Sequence, residues 1–357
     1  MTEWRYLRAF ADHFARCGLV EGEIVAVLSE TQSRSVLVDT ARLAAQSLGA
    51  RVFDVVVPTP ASVHPVPIRS TGASQAIGGN SSVVAALRSA GLVIDCTVEG
   101  LLHAPELGDI LGGGARVLMI SNEHPDTFDR LGWDDDLPRR VDLGHERLRA
   151  AALMEVTSAA GTELNVRLAG AMTAGSTGVT SGPGSIAHWP GGLVLAFPAR
   201  GSVTGRVVLA PGDLNLTFNR YVETPVTLTI ADDHIVDISG KGVDAQLFRT
   251  YLAAFGDRES YATSHVGWGM NPAARWESIA LYDTRELWGT EARAFAGNFL
   301  YSTGANENAG RFTAGHFDLP MRGCTVALDG MPVVIEGTLA PDLAPVAPVT
   351  PPDHPSP

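Results

Sequence analysis

A chain of 357 residues, 45% hydrophobic and 18% charged, is long enough for two cores and has the make-up of a globular protein. Its net charge of −13, with no basic cluster, sets aside nucleic-acid and anionic-membrane partners. No apolar run approaches the ~20 residues of a membrane helix, and the three cysteines, Cys17, Cys96 and Cys324, lie far apart in apolar contexts with no Cys-x-x-Cys pattern, so neither a disulfide framework nor a cysteine zinc site is implied.

The chain opens on "MTEWRYLRAFADHFARCG", where Leu7, Phe10, Phe14 and Cys17 recur at helical spacing. An amphipathic helix is predicted there in place of a signal peptide, which points to the cytoplasm. "EIVAVLS" reads as a buried strand, "RSVLVDTARLAAQSLG" as a helix ending at Gly49, and "ARVFDVVV" as a strand again. "NSSVVAALRSAG" is a capped helix running into the strand "LVIDCT", and "ARVLMIS" is another short apolar strand. All-apolar strands separated by helices predict a parallel sheet covered on both faces, wound right-handedly. Ligands of such sheets bind beyond the carboxyl ends of the strands. "SETQSRS" stands where a dinucleotide fingerprint would follow the first strand, no Walker pattern is present, and "GDILGGGARV" precedes a strand and reads as a turn.

"RVDLGHERLRAAALMEVTSAAG" is predicted as a bridging helix. Beyond it, "TELNVRLAG", "TPVTLTIADDHIVDIS" and "TVALDGMPVVIEG" alternate apolar and polar residues, the last with the hairpin signal Asp-Gly, and "VDAQLFRTYLAAFGD" reads as one embedded helix. The reading is an α/β chain: an N-terminal doubly wound, Rossmann-like parallel-sheet domain over 1–155, then a β-rich α+β metal-binding domain over 156–338. A proline-dense tail over 339–357 follows, expected to be extended.

Three segments carry polar residues in unusual surroundings. In "TAGHFDLPMRG", His316 and Asp318 lie two apart, so a strand would turn both to one face and Phe317 to the other. In "SHVGWGMNP", His265 precedes Gly267 and Gly269, which allow close approach of a backbone or a ligand. In "NFLYSTGANENAG", Ser302 ends an apolar strand at a glycine turn. Two imidazoles and one carboxylate form the ligand set of non-haem Fe(2+) oxygenases, where three protein ligands leave room for substrate and dioxygen together. Serine would be a labile extra ligand or a hydrogen-bond partner of one. A zinc hydrolase can use the same set, and spacing alone does not choose between them.

Taken together, "HVGWGMNP", "NFLYSTGAN" and "GHFDLPM" resemble the bacterial 2,5-dihydroxypyridine 5,6-dioxygenases of nicotinate and nicotine breakdown, which share a fold with the aminopeptidase T-type metallopeptidases. The resemblance implies Fe(2+) at His265, Ser302, His316 and Asp318, and ring opening between C5 and C6 with both atoms of dioxygen to give N-formylmaleamate. It also implies a small aromatic N-heterocycle as substrate and a homo-oligomer, a hexamer. In the peptidases a glutamate is expected at the place of His265 and a histidine at that of Ser302. This sequence has neither, and a two-metal site needs bridging carboxylates to hold cations about 3.5–4 Å apart.

Ring cleavage needs a base for the substrate and an acid later, roles that histidine suits near neutral pH. His103, in "CTVEGLLHAPELG" just past a strand of the α/β half, and His188, in "GPGSIAHWPGG", are favoured as pocket residues by the resemblance, with Thr97–Pro105 as a lid. His13 and His145 are expected on helix surfaces, His124 and His234 in turns, His64 in a linker and His354 in the tail. Trp189 and Trp268 flank candidate histidines and are read either as stacking partners for a flat ring or as core. The competing readings are a metallo-aminopeptidase or other zinc hydrolase of the related fold, and a non-catalytic small-molecule-binding protein.

Overall fold

The structure is a computed structural model that describes residues 2–61, 74–283 and 288–345. His64 and most of the proline-dense tail, with His354, lie outside the described residues. Five strands form a parallel sheet in the order Arg51–Val57, Ile24–Glu30, Leu92–Asp95, Arg116–Met119 and Ile186–His188. Alternate side chains of its strands feed two different cores. Val25, Val27, Ile94 and Leu118 pack on one face with Phe10 and Phe14 of helix Trp4–Arg16 and Leu37 and Ala41 of helix Ser35–Ser47. Ala26, Leu28, Val93 and Val117 pack on the other with Leu87 and Ile110, from helices Ser81–Arg88 and Leu107–Gly112. A strand covered on both faces has no polar side to show, which is why these segments read as unbroken apolar runs. The doubly wound arrangement expected from the sequence is what forms, with residues 186–188 returning to it from the strand-rich half.

That half is built from two large antiparallel sheets and a two-stranded one, Leu214–Asn215 with Arg220–Tyr221. An eight-stranded sheet runs in the order His234–Ser239, Val226–Ala231, Val203–Leu209, Glu163–Arg167, Leu153–Ser158, Cys324–Leu328, Met331–Ile335 and Thr338–Leu339. A five-stranded sheet runs Phe317–Met321, Phe299–Thr303, Thr263–Gly269, Leu193–Phe197 and Met172–Ser176. One large core contains side chains of both, with Phe248 and Tyr251 of helix Val243–Ala254 packed on Phe317. The Asp-Gly hairpin forms as expected: Asp329 and Gly330 both have positive φ, 47° and 79°, as a two-residue turn between twisted strands requires.

Two expectations give way. The bridging helix is Leu137–Ala150 and stops there, because Met154 and Val156 are buried alternately as strand residues paired with Cys324–Leu328. His13, expected on the surface, is buried: its Nε2 lies 2.8 Å from the carbonyl of Gly178, docking the first helix on the loop before Ile186–His188. Burial pushes its imidazole down to about 4. His145 is half-buried against Thr173, while His124 caps the helix Pro125–Leu131 and His234 bonds the carbonyl of Asp232 in its hairpin.

Candidate metal centre and active site

Three neighbouring strands of the five-stranded sheet bring the C-terminal candidates together. Ser302 and Asp318 are direct partners across the ladder of Phe299–Thr303 and Phe317–Met321. His316 stands just before the latter strand, and its carbonyl is held by Thr217 Oγ1 at 3.0 Å and the Tyr251 hydroxyl at 3.2 Å. The strand alternation acts as expected: Phe317 is fully buried in the core, while His316 and Asp318 turn together to the opposite face. Strand Thr263–Gly269 carries one extra residue between Thr263 and Val266 relative to its partner. Such a bulge re-aims side chains, and His265 lies within it. The glycines after His265 admit backbone: a Cβ on Gly267 would meet the carbonyl of Val194 at 2.0 Å.

One oxygen, Asp318 Oδ1, is the point of convergence. His316 Nε2 lies 3.2 Å from it and His265 Nε2 3.5 Å, and the Ser302 hydroxyl donates to it. The other oxygen, Oδ2, accepts from Nε of Arg293 at 2.5 Å. Burial pushes the Asp318 carboxyl up, but the Arg293 guanidinium and the two imidazoles outweigh it and hold the group well below its ordinary range. The imidazoles answer in kind: burial drives His265 down to about 4 and lowers His316. Neutral imidazoles and an ionised carboxylate are the protonation states a cation needs. His265 Nδ1 lies 3.1 Å from the Ser264 hydroxyl, which itself donates to the carbonyl of Ala305. That hydroxyl therefore accepts from Nδ1–H, and the lone pair of His265 is on Nε2, toward Asp318.

His103 and His188 arrive from the parallel sheet, one past the carboxyl end of its strand and the other at the carboxyl end of its own. His103 follows Leu92–Asp95 on a buried loop, and ligand atoms of His103, His265 and His316 lie within 4.8 Å of one another. Both carboxylate oxygens of Glu307 face His103 Nδ1, at 3.1 and 3.2 Å. Burial raises the Glu307 carboxyl, but the His103 contact prevails and holds it below its usual value. His103 Nε2 is buried without a hydrogen-bond partner among the described residues, as are His316 Nδ1 and His188 Nδ1. Buried unpaired nitrogens around an ionised carboxylate are what a metal site looks like before its ion is counted, so the residues fit a metal cofactor. The loop expected as a lid lies over the site and is tied by hydrogen bonds. Asp95 accepts from Thr97 N, Thr97 Oγ1 and Leu101 N at 3.0, 2.6 and 2.8 Å, and Val98 O accepts from the Trp288 indole at 2.8 Å.

His188 ends strand Ile186–His188, and burial followed by repulsion from Arg293 drives it down to about 3. It lines a cavity of about 380 Å³ with His103, His265, His316, Asp318 and Arg293 at one end and exposed Asp142, Met172 and Ser181 at the other. The walls between are apolar: Leu193, Leu195, Phe197 and Leu300. Of the two tryptophans, Trp189 is stacked on Phe128 with centroids 4.2 Å apart and Trp268 is fully buried, so both belong to the core. The aromatic at the site is Phe197, 5.3 Å from the His265 ring, in the segment "GGLVLAFPA" that reads simply as hydrophobic. Phe197, Arg293 and Glu307 are the three site residues that sequence reasoning missed. Only Glu307 had a local signal, lying just past the glycine turn after Ser302.

A sequence model of the 2,5-dihydroxypyridine 5,6-dioxygenase family matches residues 5–341. A 2,5-dihydroxypyridine 5,6-dioxygenase from Pseudomonas putida is 36% identical over 323 residues, 89% of this chain and 91% of that protein. A solved structure of the dioxygenase from that organism superposes with a TM-score of 0.86 at 34% identity, covering 94% of this chain and 97% of the other. AmpT from Thermus thermophilus superposes with a TM-score of 0.60 at 15% identity, over 94% and 99% of the two chains, a likeness of fold alone. With the match running nearly end to end in sequence and structure, the chain belongs to the 2,5-dihydroxypyridine 5,6-dioxygenase family.

Proposed function

We propose that this chain is an Fe(2+)-dependent dioxygenase that opens 2,5-dihydroxypyridine between C5 and C6 with dioxygen, giving N-formylmaleamate. The observation that carries the reading is the convergence of His265, His316 and Ser302 on one oxygen of Asp318 at the closed end of a cavity. Nitrogen–oxygen separations of 3.2 and 3.5 Å are close to the roughly 3 Å between adjacent ligand atoms on a cation with bonds of about 2.1 Å. In this reading His265, His316 and Asp318 hold the ion, and Ser302 steadies the carboxylate or lends a weak fourth ligand. When bound, ferrous iron supplies the one-electron chemistry that lets dioxygen react with a closed-shell aromatic ring.

The remaining roles follow from the side chains. His103 Nε2, unpaired and next to the cluster, is the base that takes a proton from a ring hydroxyl. His188, its imidazole pushed down to about 3 by burial and by Arg293, orients the ring by a hydrogen bond and does not store a proton at neutral pH. Phe197 and the leucine walls exclude water and match a flat ring. Arg293 fixes Asp318 by its second oxygen, so that Oδ1 faces the cluster. The reaction balances without another reagent, since both oxygen atoms enter the product. Assembly as a homo-oligomer, a hexamer by resemblance, and a cytoplasmic location belong to the same reading.

The test is anaerobic reconstitution with Fe(2+), addition of 2,5-dihydroxypyridine, then air. Disappearance of the substrate's ultraviolet band with equimolar dioxygen uptake is expected. A band that persists in iron-loaded protein refutes the substrate, and tight zinc binding with peptide hydrolysis refutes the reaction class.

A further inference from the structure

We propose that Glu307 is a positioning residue for His103, fixing the tautomer and orientation that present Nε2 to the reacting ring; this rests on the reading of the cavity as a ring-cleavage site. A carboxylate accepts hydrogen bonds and donates none, so the two Glu307 oxygens at 3.1 and 3.2 Å place the proton of His103 on Nδ1. The lone pair of the neutral ring then lies on Nε2, the buried nitrogen without a partner among the described residues. Without the carboxylate, the ring is free to carry its proton on Nε2, which would offer the substrate hydroxyl a donor where it needs an acceptor. The terminal torsion of histidine is broad and does not hold the ring by itself.

Glu307 is itself held firmly. It begins a short turn, Glu307–Ala309, capped by the fully buried Asn306, whose side chain accepts from Ala309 N at 3.2 Å and donates to Pro198 O at 2.9 Å. Asn306 and Arg311 also exchange backbone bonds of 3.1 and 2.9 Å. Two residues before Glu307, the carbonyl of Ala305 receives the Ser264 hydroxyl that sets the tautomer of His265. One loop thus governs two imidazoles in the same sense: Ala305 through Ser264 for His265, and Glu307 directly for His103. It also ties the histidine loop of the parallel sheet to the strand-rich half, across 204 residues of sequence.

A double-mutant cycle on the iron-loaded, full-length enzyme tests this, using Glu307→Ala, Glu307→Gln, His103→Ala and His103→Ala/Glu307→Ala. Turnover of 2,5-dihydroxypyridine, anaerobic substrate affinity, bound iron and thermal midpoint are measured for each. Glu307→Ala is expected to lower kcat by about 10–100-fold, the usual cost of removing the partner that orients a functional histidine, with KM and iron content within about twofold of wild type. Glu307→Gln keeps an acceptor oxygen and should recover part of the loss; it also stands in if the alanine variant folds poorly. In the His103→Ala background, Glu307→Ala should have no further effect. Unchanged kcat in Glu307→Ala, loss of iron, or a loss that multiplies in the double variant overturns the inference. Wild type inert toward 2,5-dihydroxypyridine overturns the ring-cleavage reading and takes the inference with it, whereas active wild type with an unaffected Glu307→Ala overturns the inference alone.

Discussion

Asp95 sits under the loop that delivers His103, and its removal should move activity without touching any metal ligand. Its carboxylate is fully buried and accepts three hydrogen bonds, two from Thr97 and one from Leu101. In Asp95→Ala the buried N–H groups of Thr97 and Leu101 lose their acceptor, at about 1–3 kcal/mol each, so roughly 2–6 kcal/mol is expected to fall on this one loop. Asp95→Asn keeps the shape but turns an N–H₂ toward Leu101 N, and should be intermediate. Its pH dependence is diagnostic. Burial raises the folded carboxyl from 3.8 to about 6, so in the folded protein the group holds its proton to higher pH than in the unfolded chain. The stability it contributes is therefore full below the unfolded value and is lost as pH rises through about 6. Across the whole window this is about 3 kcal/mol, and roughly half of it falls between pH 5 and 8. Denaturant unfolding of metal-free wild type and Asp95→Asn at pH 5 and 8 should show the difference shift in favour of the asparagine variant by ~1.5 kcal/mol at the higher pH. Hydrogen exchange should report faster opening of residues 97–103 in Asp95→Ala, with metal content retained. A pH-independent stability difference, or unchanged exchange in that loop, would refute the account of Asp95 as a buried clamp whose carboxyl is raised by burial.

Replacing Arg293 by leucine removes the strongest influence holding the Asp318 carboxyl down, so protons should compete with the metal at higher pH; the pH at which half the metal is lost should move up, read by metal analysis after equilibration. Breaking this buried pair should also cost the metal-free protein about 3–5 kcal/mol, with the metal-loaded form less affected. Phe197→Leu keeps the cavity wall apolar but removes the ring beside His265, and KM should rise roughly 3–10-fold with kcat little changed, the range expected for one lost aromatic contact.

Much of the site was legible because strand geometry is local. The spacing of His316 and Asp318 fixes their shared face and puts Phe317 in the core whatever the rest of the chain does. The place of His103 followed from a rule about parallel sheets, since the segment after an all-apolar strand emerges at the carboxyl edge. What was not legible depends on contacts between distant segments. Arg293 lies on a four-residue helix with no motif, and its meaning comes only from meeting Asp318 across the fold. His13 occupies what looks like the polar side of an amphipathic helix, and only the Gly178 loop, 165 residues on, buries it. The helix over Leu137–Ala150 was read too long because Ala and Leu before Met154 suit either state, and pairing with Cys324–Leu328 decides for strand.

A fold alone does not choose between ring cleavage and the two-metal hydrolysis weighed from the sequence, so the donor inventory has to separate the chemistries. Two cations about 3.5–4 Å apart need carboxylates that can bridge them. Asp318 has one oxygen committed to Arg293 and one facing the cluster, and Glu307 spends both of its oxygens on the far nitrogen of His103. Asp142, the other acid lining the cavity, is exposed on helix Leu137–Ala150. Among the described residues, then, the imidazole cluster has one carboxylate oxygen to offer, and the neutral imidazoles of His265 and His316 with a single negative charge suit one divalent ion and leave it net positive. A second cation would meet no bridging anion and an adjacent guanidinium. An anionic hydroxy-heterocycle is drawn to the remaining positive charge, which makes the scarcity of carboxylates here a feature of ring binding as much as an obstacle to hydrolysis.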